Sequence, residues 1–281
     1  MPELPEVETI KVGLQKRIVG LKVTKIQINS PKTFIGNPNL VQGKKVLKVW
    51  RRAKILGMDL DKLTLLFHLK MSGQLVWIGK SRFIGGHPTQ DMVDSMPNKH
   101  TRVIFSFSDG SHLYFNDQRR FGWVKVIEGD LADLGYLGDL GPEPLEKSFT
   151  WQILRQNLLR HKSMPIKVVL MDQSVVAGVG NIYANEACFN AKIDPRTKVG
   201  DLDDKGFKAI HKGVIGVIKN GIKHGGSSSA HFVDSEGRKG YFLDYAFVYG
   251  RDKHKCKKCQ TQIKKIQVAG RGTFFCPTCQ T

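Results

Sequence analysis

The chain has 281 residues, of which 41% are hydrophobic, enough for two domains that each bury a core without disulfides or stacked repeats. Lysine and arginine number 44 against 25 aspartates and glutamates, a formal balance of +19 that suits a polyanionic partner. No apolar run approaches the roughly 18 residues of a membrane span, and the first residues carry acids where a secretion signal carries lysines, so an intracellular, cytoplasmic protein with no membrane partner is expected. The basic residues are spread along the chain rather than gathered on one amphipathic helix with bulky aromatics, which favours nucleic acid over an anionic membrane.

Val7, Ile10, Leu14 and Ile18 recur at helical spacing and Gly20 supplies a stop, predicting a helix from Pro5 to Val19. Strand-length apolar or alternating runs follow at 21–28, 44–50, 54–60, 63–69, 102–108, 111–116 and 122–127, separated by glycine, proline or charged turns. They predict an antiparallel β-sandwich with an N-terminal helix over residues 2–135. GDLGPEPLEKS at 138–148 breaks the pattern and lies in an expected linker, 136–148. Helical periodicity then predicts helices at Trp151–Leu159, Pro165–Asp172, Asn181–Asn190 and Asp203–Lys223 within a second domain, 149–248. The long polar stretch GGSSSAHFVDSEGRKG at 225–240 reads as a functional loop. The fold class expected is α+β and multidomain.

The last segment, 249–281, carries two CxxC pairs, Cys256 with Cys259 and Cys276 with Cys279. Two such knuckles joined by a hairpin can place four thiolates in a tetrahedron around one zinc ion, and with every ligand supplied by protein that zinc is structural. Disulfides or a redox dithiol are the alternatives, disfavoured in a chain without a secretion signal. Eight lysines and arginines face one aspartate from Gly250 onward, so this finger suits nucleic acid better than protein. Arg271 stands between Gly270 and Gly272, where a hairpin tip can press it on a phosphate; simple solvation of its side chain is the alternative.

At the other end stands MPELPEVETI. Removal of Met1 would expose the secondary amine of Pro2, and an α-amine titrates about two units below lysine, so part of it is a free nucleophile near neutrality. Glu3 and Glu6 sit four residues before Val7 and Ile10, which turns both toward the apolar side of the helix. They either cap the helix or serve in proton transfer.

PELPEVE, RRAK (51–54), HLKMSG (68–73), NDQRRFG (116–122), VAGVGNIYANE (176–186) and GRGTFFCPTCQ (270–280) together resemble the formamidopyrimidine-DNA glycosylases, in the same order along essentially the whole chain. The resemblance implies a β-sandwich joined to a helix-two-turn-helix domain and zinc finger. Its expected substrate is double-stranded DNA holding an oxidised purine or an abasic site, bound by a monomer. It implies excision of 8-oxoguanine and formamidopyrimidines, then strand scission by β,δ-elimination, with no metal or nucleotide cofactor in the chemistry. Pro2 resembles the nucleophile that attacks C1′, and Glu3 its acid/base partner. Lys54 resembles the lysine of lesion binding and β-elimination, though an ordinary strand lysine is the plain alternative, and Arg271 the arginine of δ-elimination. Asn181, opening a helix, suits a phosphate clamp, and His100, Arg119 and Lys162 align with DNA contacts. Met71, Arg119 and Phe121 resemble the trio that fills the gap left by an extruded nucleotide, and the loop at 225–240 the lid over it. The nearest alternatives are an endonuclease VIII-type enzyme, which prefers oxidised pyrimidines, and a non-catalytic zinc-ribbon protein on the same scaffold.

Overall fold

The computed structural model describes residues 1–86, 95–129, 135–227 and 242–281. It divides into two compact units, Met1–Gly138 with His224–Tyr241, and Asp139–Lys223 with Phe242–Thr281.

The first unit opens with helix α1 (Leu4–Ile18), whose Pro5 lies in the first turn, where a missing N–H costs nothing. Among the described residues ten strands follow: β1 (Val23–Ile28), β2 (Phe34–Ile35), β3 (Val46–Arg52), β4 (Ile55–Leu60), β5 (Leu63–His68), β6 (Gly73–Ile78), β7 (Arg82–Gly86), β8 (Thr101–Phe107), β9 (His112–Asp117) and β10 (Trp123–Glu128). They make two five-stranded sheets, ordered β1-β8-β9-β6-β7 and β2-β10-β5-β4-β3. All pairings are antiparallel except the short β2 beside β10. Val7, Ile10, Leu14 and Ile18 of α1 share one core with residues such as Leu65 and Phe67 of one sheet and Phe105 and Phe115 of the other. The helix packs on β3 and β7, the terminal strands of the two sheets. The expected sandwich is therefore present, and the seven runs read from sequence each match a strand to within two residues at either end.

Three strands lack a counterpart among those runs. The two-residue β2 is too short to show a period, and β6, GQLVWI, is an apolar run that alternation does not mark. β7 ends in two glycines, which read as a loop; yet Gly85 is there because a Cβ would lie 2.4 Å from Cγ1 of Ile10, on the helix packed against the strand.

The second unit contains α3 (Trp151–Leu158), α4 (Ile166–Val169), α5 (Asn181–Ala191), α6 (Asp204–Lys223), the short α7 (Phe242–Tyr245) and a hairpin of β11 (Lys264–Val268) and β12 (Arg271–Phe275); a single turn, α2 (Gly135–Gly138), precedes it in the first unit. α5 packs against α6, α4 and β12. The helix expected over Pro165–Asp172 is corrected to four residues. The amides of Met171 and Asp172 bond carbonyls three residues back, and Asp172 then turns its carboxylate onto the N–H and hydroxyl of Ser174, drawing the backbone out of the helix. No helix among the described residues is long and apolar enough to cross a membrane.

Candidate active site and metal centre

Cross-strand register fixes where the first unit's motifs lie. His68 pairs with both Ile55 and Trp123, and Gly73 pairs with Asp117. The β3–β4 turn at 53–54, the crossover at 69–72 and the crossover at 118–122 therefore all lie at one end of the sandwich. Lys54 occupies the first turn rather than the strand expected from its run, following Ala53 at φ +52°. Met71 belongs to the second, Arg119 and Phe121 to the third.

The start of α1 reaches the same group of charges. Pro2 is buried, and Glu3 and Glu6 are each 3% exposed, as their spacing toward the apolar side requires. Glu6 caps the helix: its Oε2 accepts the Glu3 N–H at 2.7 Å and its Oε1 accepts the N–H of Ser227. The amine of Met1, one residue before Pro2, is held below its ordinary pKa, first by burial; Glu3 and Glu6 oppose that shift, while Lys54 and Arg119 add to it. Both carboxylates and both cations are thus close enough to act on the amine. The turn carrying Lys54 is braced from α1, because Glu8 accepts Arg51 Nε at 2.9 Å and Lys11 Nζ at 2.6 Å, and Arg51 Nη1 donates to the Ala53 carbonyl at 3.2 Å. Burial pushes the Glu8 pKa up, but these hydrogen bonds and charges outweigh it and hold the group below the carboxylate range.

His68, at the same end of the sandwich, is a residue that motif reading passed over. Its Nδ1 accepts the Lys70 N–H at 3.0 Å, which leaves Nε2 to carry the hydrogen. Burial, then Lys70 and Lys54, lower its pKa to about 3, so it is a neutral donor beside two cations. The signal was present in the sequence: one histidine at a strand end, followed two residues later by a lysine. Phe121 is 56% exposed and Arg119 is exposed with its Cζ 5.1 Å from the Phe121 ring, while Met71 is half-buried. Phe121 is therefore no core residue. His100 lies just before β8 and is 8% exposed, its carbonyl accepting the Asp117 N–H at 2.9 Å.

In the second unit, Asn181 begins α5 and Arg271 begins β12, and the two are joined directly: Asn181 Nδ2 donates to the Gly272 carbonyl at 3.1 Å, while its Oδ1 is buried with no hydrogen-bond partner among the described residues. Asn185 repeats the tie one turn on, accepting the Phe274 N–H at 2.7 Å. Arg271 is exposed, as is Lys162, which follows a 3-10 turn after α3. Glu186 of the same motif accepts the N–H groups of Phe247, Val248 and Tyr249 at 2.9, 2.9 and 2.8 Å, anchoring the segment that leads into the first cysteine knuckle. Burial raises its pKa despite those three donors. The loop expected at 225–240 lies outside the described residues except for 225–227.

The sulfurs of Cys256, Cys259, Cys276 and Cys279 lie within 4.8 Å of one another, with Cys259–Cys276 at 3.3 Å and Cys256–Cys279 at 3.9 Å. Zinc–sulfur bonds of about 2.3 Å in a tetrahedron put sulfurs about 3.8 Å apart, so the four residues fit one zinc ion with no ligand position left for chemistry.

Buried Pro2, Glu3 and Glu6 beside cations at one end of a β-sandwich, with a basic four-thiolate zinc hairpin in a separate helical unit, suit a DNA glycosylase. Residues 1–124 match the formamidopyrimidine-DNA glycosylase N-terminal domain, residues 140–233 the helix-two-turn-helix domain of the same enzymes, and residues 253–281 the zinc finger found in these glycosylases and in isoleucyl-tRNA synthetases. The chain is 38% identical over 288 residues to the formamidopyrimidine-DNA glycosylase of Pelotomaculum thermopropionicum, covering 100% of this chain and 99% of that one. It is 36% identical to the enzyme of Listeria monocytogenes, with 100% of each covered. Among solved structures it resembles the Lactococcus lactis enzyme in complex with abasic-site DNA, at TM-score 0.87 and 34% identity over 99% of each chain. The chain belongs to the formamidopyrimidine-DNA glycosylase family. That membership sets aside the pyrimidine-directed and non-catalytic alternatives.

Proposed function

We propose that this chain excises oxidised purines from double-stranded DNA and cuts the strand at the abasic site through a Schiff base on Pro2. One observation supports the assignment of the nucleophile: Pro2 is buried at the start of α1 beside Glu3 and Glu6, and the Met1 amine next to it lies within electrostatic reach of Glu3, Glu6, Lys54 and Arg119. An α-amine titrates about two units below lysine, so part of it is unprotonated near neutrality, and the unprotonated form is what attacks carbon. Three relatives of known structure hold the corresponding DNA: one Lactococcus lactis complex contains Fapy-dG, another an abasic site, and a third complex carbocyclic 8-oxo-G.

The proposed sequence uses the chain's own groups. With Met1 removed, the Pro2 nitrogen forms a bond to C1′ as the bond from C1′ to the damaged base breaks, and the base leaves with the electron pair and takes up a proton. Glu3 protonates the ring oxygen, so the sugar opens and the nitrogen–carbon link becomes an iminium. Loss of a proton from C2′ expels the 3′ phosphate, and a second elimination expels the 5′ phosphate. Water then releases the sugar fragment and restores the amine. Lys54 and neutral His68 stabilise charge on the phosphate and the sugar. Met71, Arg119 and Phe121 occupy the gap in the stack, with Arg119 donating to the widowed base. Asn181, Arg271, Lys162 and His100 hold the backbone, and zinc keeps the Arg271 hairpin ordered. The working form is a monomer in the bacterial cytoplasm.

Borohydride trapping on lesion-bearing duplex tests this. Protein lacking Met1 should form a covalent adduct, and protein that retains Met1 or is acetylated at Pro2 should bind the lesion without forming one. Trapping of the blocked protein at the ordinary rate would show that another residue is the nucleophile.

A further inference from the structure

Asp117 has every polar group engaged. Its N–H donates to the His100 carbonyl at 2.9 Å and its carbonyl accepts Arg102 Nε at 2.8 Å. Its carboxylate Oδ1 accepts the Ser72 hydroxyl, and at 3.2 Å the Arg119 N–H; Oδ2 accepts the Gly122 N–H at 2.6 Å. The Ser72 hydroxyl oxygen in turn accepts the Arg119 N–H at 2.9 Å. Ser72 is 5% exposed and Asp117 fully buried, so each lost bond leaves a donor or acceptor with no water to replace it. The two crossovers between the sheets are therefore joined to each other as well as to their strands. A side chain at position 122 is barred, since a Cβ there would sit 2.8 Å from Phe115 Cζ and 3.0 Å from the Asp117 carboxylate.

The tips above this buried pair behave oppositely. Phe121 and Arg119 are exposed and Met71 half-buried, yet each is one of the tied residues or the direct neighbour of one: Met71 beside Ser72, Arg119 through its own N–H, Phe121 beside Gly122. Fixed backbone under free side chains is what a probe of the base stack needs, because a wedge misplaced by one ångström no longer aligns its neighbour with the opposite base. We propose that Ser72 and Asp117 are positioning residues that hold Met71, Arg119 and Phe121 in one register and so set discrimination of the base opposite the lesion. This rests on the stack-filling reading of that trio given above.

Excision of 8-oxoguanine opposite cytosine and opposite adenine should be compared in Ser72→Ala, Asp117→Asn, Arg119→Ala and Phe121→Ala, with zinc content and melting temperature recorded for each. The ratio of cytosine to adenine kcat/KM should fall about five- to tenfold in Ser72→Ala and Asp117→Asn, the loss expected for one buried hydrogen bond, and the drop should lie in kcat rather than KM. Should Arg119→Ala lower the ratio while both clamp variants keep it, or lose rate equally opposite every base, the positioning role is overturned and the trio's reading survives. Should Arg119→Ala and Phe121→Ala also keep the ratio, the trio's reading itself has failed. A measurement on the unaltered protein covers the case in which Asp117→Asn does not fold: the Arg119 and Gly122 amides should exchange slowly with solvent although their side chains or neighbours are exposed, and exchange at the rate of an open loop would overturn the clamp.

Discussion

At the end of the sandwich, exposed side chains stand on turns rooted in a core of 25 buried hydrophobic residues among those described, nearly all from α1 and the two sheets; the zinc hairpin rests on a cluster of six, and two of those six are the ligands Cys256 and Cys276. Both regions present cations to solvent, Arg119 in one and Arg271 in the other. One is made rigid by apolar burial with polar ties laid across it, the other by metal–thiolate bonds, as expected for a segment too short to order itself. The difference teaches where each region should fail first.

The sharpest way to break the comparison is to remove the metal. Structural zinc binds with an apparent 10–16 kcal/mol, roughly, so chelation or Cys256→Ser should collapse the amide dispersion of residues 253–281 and weaken DNA binding, while the sandwich keeps its strand signal in circular dichroism. A hairpin that keeps its dispersion without metal would show that six residues suffice. The next largest contrast lies inside the first unit. Phe105→Ala, at 0% exposure, should cost about 3–5 kcal/mol in urea unfolding, whereas Phe121→Ala, at 56%, should stay within about 0.5 kcal/mol. A large loss at Phe121 would return that ring to the core.

A smaller effect sharpens the role of the hairpin. Arg271→Ala should lower the slope of log affinity against log salt by about one, with zinc retained, since one phosphate contact releases about one counterion. An unchanged slope would leave Arg271 merely solvated. A further contrast, confined to acid pH, is the protonation of His68. Its folded-state pKa, about 3, lies below the unfolded value of about 6.5, so the unfolded chain binds the extra proton between those limits. The contribution is complete above about pH 6.5 and is lost as pH falls toward 3. Ring resonances of His68 should stay those of neutral imidazole down to about pH 4, and His68→Asn should flatten this part of the stability profile. A midpoint near 6.5 would mean that the ring is open to water.

Much of this was legible in the residues. Apolar spacing gave α1 to within one residue at each end, and the apolar or alternating runs located seven strands, because each of those strands buries at least one face in a shared core. The four cysteines announced their own geometry through two fixed spacings. What spacing could not show is pairing across the sheets. Ser72 and Asp117 are 45 positions apart and become neighbours only when β6 pairs with β9. His68 looked like the first letter of a motif until burial and two lysines made it a neutral donor. β7 was hidden because Gly85 makes room for Ile10, a reason that lies in another element altogether.

The Glu6 carboxylate has a consequence for biosynthesis. One of its oxygens serves Glu3, three residues back, and the other serves Ser227, 221 residues on. A ribosome adding about 5–20 residues per second needs roughly ten to forty-five seconds to supply the second donor after Glu6 has been made. Closing a loop of that length costs about 5 kcal/mol of chain entropy, which a single hydrogen bond does not offset, so the contact must wait for the packing that brings the two segments together. The nascent chain therefore carries Glu3 and Glu6 and their local cap long before the Ser227 N–H that occupies the second Glu6 oxygen has been made.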